Sequence, residues 1–235
     1  MRELSARLDA IVQSLLPCRL LADIGTDHGL VPIAAVLRGV AASALASDLR
    51  EAPLRVARRN IERARLETRV AIAQGNGLAG LVGSGVDAIV LAGMSGELVV
   101  RLLAATPAVV DSAEQLVLQP NSDAHAVRTW ARAAGWHLRA ERMVEDGGRF
   151  FVVCAFAKGA GDDPAYAIDG FSPTALDHIG HIGPVLLARK DAVAQRWCLA
   201  QRDRIRALVR AGAPALAAEL AGWEAACDHL HGRVE

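Results

Sequence analysis

The chain has 235 residues, a formal net charge of zero and 52% hydrophobic residues, of which few are aromatic. That length suits one large domain, or one domain with an appendage, and supports a sizeable core. Neutrality excludes a strong general attraction to nucleic acid but not a local basic face. The basic residues are nearly all arginine; Lys158 and Lys190 are the only lysines. Cys18, Cys154, Cys198 and Cys227 form no CxxC pair, so neither a zinc site nor a disulfide framework is indicated, and a reducing, cytoplasmic location is expected.

Taken in chain order, Leu4, Leu8, Ile11, Val12 and Leu15 recur at helical spacing, and the charges among them argue against a signal peptide or membrane span. After Pro17, short apolar runs alternate with helical patterns. Strands are expected over residues 20–25, 43–48, 69–75, 87–93 and 115–119. Helices are expected over 31–37, 52–66, 98–103 and 124–134. Two further strands, 136–144 and 149–156, flank Glu145-Asp146-Gly147-Gly148 and predict an antiparallel hairpin. Strand–helix alternation predicts a doubly wound α/β sheet, and a closing antiparallel hairpin is the feature that class I methyltransferases add to it. Residues 158–173 are rich in Gly, Asp and Pro and read as a linker. Beyond it, Ile182, Leu186, Val193, Trp197, Ile205 and Leu208 fit one stripe, Gly212-Ala213-Pro214 breaks it, and Leu216, Leu220, Trp223, Cys227 and Leu230 follow at spacings of four and three. This is the pattern of an antiparallel helical hairpin, a coiled-coil seam.

Five segments fall at strand ends, where open α/β sheets bind ligands. Asp23-Ile24-Gly25-Thr26-Asp27-His28-Gly29 follows the first strand. An aspartate stands where a dinucleotide fingerprint needs its second glycine, and a carboxylate repels pyrophosphate, so NAD is disfavoured. S-adenosylmethionine carries a sulfonium and no phosphate, and suits such a loop. Asp48 lies 23 residues after Gly25, where an acid binds ribose hydroxyls; a helix-capping role is the alternative, and both can hold. Asn76 and Gly77 follow the third strand, where a side chain reads the adenine edge of a cofactor, or simply makes an Asn-Gly turn. Gly93, Met94, Ser95 and Gly96 follow the fourth strand, small enough for close approach of a ligand. Gln119, Pro120 and Asn121 follow the fifth, with paired amide donors and acceptors suited to a nucleobase edge, or to capping the next helix. His125, His137, His178, His181, His229 and His231 form no ligand set, and no metal is expected.

In this order and spacing, ADIGTDH, AGMSG, LQPN and the EDG turn resemble the TrmK family of tRNA (adenine(22)-N1)-methyltransferases, over residues 4–197 and into Gly183-Pro184 and Lys190. The resemblance implies a class I Rossmann-like domain binding S-adenosylmethionine over residues 1–160, then a linker and helical hairpin over 161–235. It implies that Asp23, Gly25, Asp48, Asn76, Gly77, Gly93 and Met94 line the cofactor site. Asp27, His28, Gln119, Pro120 and Asn121 would face the target base. Three positions depart from the family pattern: Leu30 stands where an aromatic residue is usual, Asn76 replaces an acid, and Ser95 replaces a glycine.

Adenine N1 attacks through an in-plane lone pair, and its methylation leaves a cationic base, which a carboxylate stabilises. Asp27 is placed in that role. N1 lies on the pairing edge, so the base must be extruded from any helix. Arg189, Lys190, Arg196, Arg202, Arg204, Arg206 and Arg210 face only Asp191 and Asp203, a local charge of +5 in a neutral chain. They form the expected tRNA contact, with a plain solvated helix face as the alternative. Two other functions fit the residues: methylation of another RNA or a small molecule, and a non-catalytic S-adenosylmethionine-binding RNA module. Methylation assays with bulk tRNA against small metabolites separate the first; cofactor binding without any acceptor marks the second.

Overall fold

A computed structural model describes residues 3–168 and 181–232. The elements in order are α1 (Ala6–Ser14), β1 (Cys18–Ile24), α2 (Leu30–Leu37), β2 (Ala41–Asp48), α3 (Glu51–Ala64), β3 (Val70–Gln74), β4 (Ala88–Ser95), α4 (Gly96–Ala104), α5 (Pro107–Ser112), β5 (Gln115–Ser122), α6 (Ala124–Ala133), β6 (Trp136–Asp146) and β7 (Arg149–Lys158). They are followed by α7 (Pro184–Ala188), α8 (Ala192–Arg210) and α9 (Ala217–His231).

The seven strands form one sheet in the order β3-β2-β1-β4-β5-β7-β6. The first five are parallel, and β7 enters antiparallel between β5 and β6. Strand side chains alternate between two cores, one on each face. Ala22, Ile24, Ile89, Leu91, Leu116 and Leu118 face α4, α5, α6 and the C-terminal helices. Leu21, Ala88, Val90 and Val117 face α1, α2 and α3. Both faces are therefore apolar, which is why these strands read as continuous hydrophobic runs. The β6–β7 turn places Gly147 and Gly148 at φ +57° and +72°, the two positive values that a two-residue hairpin of type I′ requires.

The expected strands and helices all occur, with ends shifted by a few residues. The six-residue α5 has no counterpart in the periodicity. The single stripe running from Ile182 to Leu208 needs correction. Lys190 adopts φ +49° and Asp191 accepts from Val193 N and Ala194 N at 2.9 Å each, ending α7 and capping α8. The interruption resets the helical phase. Ala194, Cys198 and Ile205 become the buried line of α8, whereas Leu208 is 43% exposed. The α8–α9 pairing is antiparallel: Gln195 Nε2 donates to Leu230 O (3.0 Å), the Cys198 and Cys227 thiols meet, and Arg206 pairs with Glu224 (2.8 Å).

A buried ion pair fastens this C-terminal unit to the sheet. Arg128 on α6 is the largest fully buried side chain among the described residues. Its Nε donates to Glu141 Oε1 on β6 (2.6 Å) and its Nη2 to Ile182 O (3.2 Å), while Glu141 Oε2 accepts from Val185 N (2.9 Å). Gly183 lies against both side chains at φ +100°, with no room for a Cβ.

Candidate functional site

The loop leaving β1 is shaped by glycine and pinned by backbone bonds. Gly25 N and Thr26 N both donate to Ser47 O on β2 at 2.8 Å. Gly25 has φ +77°, and the Met94 side chain fills the place of its missing Cβ. Gly29 caps α2 at φ +68° and lets Ala57 of α3 approach, where a Cβ would lie 3.1 Å from that of Ala57. Asn60 Nδ2 reaches back from α3 to His28 O (2.9 Å).

This loop borders a cavity of about 630 Å³ at the carboxyl ends of β1, β4 and β5. Of the sequence-predicted residues, Asp23, Gly25, Asp27, His28, Gly93 and Asn121 line it together. Their environments differ sharply. Asp23 is only 5% exposed, and burial pushes its carboxyl up to about 6; the nearby Thr26 hydroxyl pulls it down and Asp48 raises it further. Thr26 Oγ1 is itself buried without a well-formed hydrogen bond. Asp27 and His28 sit on the open rim, with His28 Nε2 3.1 Å from Asp27 Oδ2.

The remaining predicted residues lie around the cavity and not on its lining. Asp48 is buried at the tip of β2, and its Oδ1 accepts from Arg50 N (2.8 Å); this bond shapes the turn ahead of α3, whose N-cap is Arg50 with no side-chain cap bond. Gly75 N donates to Asp48 O (3.1 Å), which sets the exposed Asn76 beside that tip. Gly77, at φ +65°, packs on Leu102 of α4. Gln119 is fully buried and its amide is spent: Oε1 accepts from Arg7 Nη1 (2.7 Å), and Nε2 donates to Pro120 O (3.0 Å) and Asn121 Oδ1 (3.3 Å). Asn121 Nδ2 donates in turn to Gly93 O (2.8 Å). A polar chain thus runs from Arg7 through Gln119 and Asn121 to Gly93 near the end of β4.

Among the lining residues that the sequence did not mark as part of a site are Arg7, Arg50, Arg149 and Phe151. Arg7 and Arg149 both lie over the Phe151 ring, at 5.4 and 5.2 Å from its centroid. The alternation of β7 puts Arg149 and Phe151 on one face, a signal that was available. Nothing in the sequence links Arg7 to Gln119, 112 residues away.

The basic segment is split by its own ion pairs. Arg196 pairs with Glu145 (3.1 Å), Arg202 with Asp203 (2.7 Å) and Arg206 with Glu224 (2.8 Å). Arg189, Arg204 and Arg210 are exposed and make no ion pair among the described residues. Lys190 is exposed in the α7–α8 connection. Among the described residues no group of three or more His, Cys, Asp or Glu is placed to hold a metal ion; His178 lies outside them. No helix described is long and apolar enough to cross a membrane.

A methyltransferase-domain family model matches residues 4–154. The chain is 34% identical over 196 residues to the tRNA (adenine(22)-N(1))-methyltransferase of Bacillus subtilis, covering 83% of this chain and 80% of that protein. Among solved structures, the Bacillus subtilis tRNA methyltransferase TrmK superposes with a TM-score of 0.79 at 28% identity, covering 99% of each chain. A Streptococcus pneumoniae protein in complex with S-adenosyl-L-methionine superposes with a TM-score of 0.84 at 25% identity, covering 96% of this chain and all of that one. On the sequence match and the superpositions together, the chain belongs to the TrmK family of tRNA (adenine(22)-N1)-methyltransferases.

Proposed function

We propose that this chain transfers a methyl group from S-adenosylmethionine to N1 of an adenine in tRNA, at position 22. The observation that carries the reading is a cavity at the sheet's carboxyl edge lined by both a buried acid, Asp23, and an exposed acid, Asp27, from the loop that leaves β1.

The residues present fit the cofactor. Buried Asp23 and the unsatisfied Thr26 hydroxyl offer acceptors to a cationic ligand, and Gly93 leaves backbone open to close approach. Asp48 accepts from ribose hydroxyls and Asn76 reads the adenine edge. Arg7 lies 3.8 Å from where a Gly93 Cβ would stand, and supplies the cation for a carboxylate. S-adenosylmethionine, when bound, supplies a methyl group on a sulfonium leaving group.

The chain's own residues then position the acceptor, and positioning carries most of such an acceleration. Asn121, its amide oriented by Gln119 and Gly93, grips the edge of the extruded base, with Pro120 beside it near the end of β5. Asp27 stabilises the charge developing on the ring and accepts a proton from the exocyclic amine. His28 holds Asp27 in place. Gln119 is a positioning residue, because its amide is fully engaged by protein. The arginines and Lys190 of 189–210 contact the tRNA backbone, with exposed Arg189, Arg204 and Arg210 foremost. A cytoplasmic location accords with this substrate.

Incubation of the full chain with labelled S-adenosylmethionine and bulk tRNA, followed by mapping of modified bases, tests the proposal. One methylated D-arm adenine is expected. Methylation of a small metabolite with tRNA untouched would overturn it.

A further inference from the structure

A second, smaller cleft adjoins the cavity, and of its lining the mechanism above uses only Pro120 and Asn121. It measures about 160 Å³ and lies between the sheet and the C-terminal helices. Asn121 and Phe151 line both cavities, so one side chain's thickness separates them. Phe150 from β7, with His181 and Trp197 from the C-terminal unit, gives the cleft aromatic walls; Asn121, Ser122 and Asp123 give it a polar edge. Trp197 is braced by Trp223, the rings crossing at 79° with centroids 5.3 Å apart, and His181 stacks on Trp223 at 6.0 Å.

This volume falls well below the roughly 300 Å³ at which sites for whole small-molecule ligands begin. It suits one planar ring. Aromatic walls with a hydrogen-bonding rim are what an unstacked nucleobase needs. Extruding a base into the large cavity also breaks its stacking on its neighbours, and a protein surface that stacks a neighbour recovers part of that loss.

We propose that this cleft binds a nucleotide directly flanking the methylated adenine, splayed to the other side of Phe151, with Trp197 as its stacking wall. The inference rests on the tRNA reading above. Stacking on one aromatic residue predicts a roughly 5- to 150-fold effect on substrate affinity.

The test uses the full chain, intact tRNA transcripts, and transcripts lacking the base at either flanking position. In the native protein, removing one of those bases should raise KM for tRNA by that factor with little change in kcat. Trp197→Ala should raise KM similarly on intact tRNA, and the same base removal should then have no further effect. Trp197→Phe should retain most of the affinity. S-adenosylmethionine affinity should be unchanged throughout. Should Trp197→Ala not fold, His181→Ala, at an exposed wall position, carries the same comparison. Penalties that add, or native KM values indifferent to both base removals, would overturn the subsite while leaving the methyltransferase reading intact. A native protein that methylates no tRNA at all would remove that reading and this one with it.

Discussion

Asp23 and Asp27 stand four residues apart in one loop under opposite electrostatic conditions. Water surrounds Asp27, whose side chain is 78% exposed; Asp23 is sealed in. The Asp23 carboxyl has its pKa raised from 3.8 to about 6, so the folded protein without ligand holds this proton more tightly than the unfolded chain does. Folding stability from this group is therefore present below pH 4 and lost as pH rises through 4 to 6, by about 3 kcal/mol. A bound sulfonium and ammonium reverse the preference, because they favour the carboxylate. Cofactor affinity should accordingly fall about tenfold per pH unit below pH 6, by titration calorimetry. Asp23→Asn should bind weakly at every pH and lose that slope; an unaltered slope would place the titrating group elsewhere. Asp27→Ala, by contrast, should abolish methyl transfer and leave cofactor affinity within about threefold, since an exposed rim residue contributes little to a ligand held deeper in. Parallel loss of both would make Asp27 structural.

Among the elements, those with a local signal were legible and those fixed by distant partners were not. The central strands β1, β4 and β5 announced themselves because both faces are largely buried, and the hairpin because two consecutive glycines suit its turn. The six-residue α5 is too short to show a helical period. Arg128 sits in a helix whose other arginine, Arg132, is exposed, and Glu141 lies between Ala140 and Arg142; neither looks buried without the fold that joins them. The same holds for Arg7, whose role depends on α1 crossing the end of the hairpin, where Arg7 N donates to Asp146 Oδ2 (3.1 Å). The Arg128–Glu141 pair joins α6, β6 and the start of α7, so its loss should loosen three elements at once. Arg128→Met leaves a buried carboxylate without its cation and should cost roughly 3–5 kcal/mol in urea unfolding. Gly183→Ala forces a Cβ into the same pair and should also destabilise. If Arg128→Met unfolded at the native urea concentration, the pair would be an ornament of the junction and not its fastening.

At the scale of the whole molecule, neutrality and a polyanionic substrate must be reconciled. The count of seven basic residues over 189–210 overstates the charge on offer, because Glu145, Asp203 and Glu224 each take up part of it. What remains is a sparse set of exposed arginines on the unit that also contributes His181 and Trp197 to the small cleft. Such an arrangement gives modest affinity, strong dependence on salt, and little grip on nucleic acid at large. Each arginine contacting a phosphate should contribute about 0.7–0.9 to the slope of log affinity against log salt concentration. Arg204→Gln and Arg210→Gln should each lower that slope by about this amount, leaving fold stability within about 0.5 kcal/mol and cofactor affinity unchanged. Arg202→Gln should move the slope less, because Asp203 already offsets its charge. Filter binding across a salt series decides between these patterns. A slope indifferent to Arg204 and Arg210 would mean that tRNA approaches over the other cationic group at the cavity, Arg7, Arg50 and Arg149, and that the C-terminal helices serve the small cleft and the fold alone.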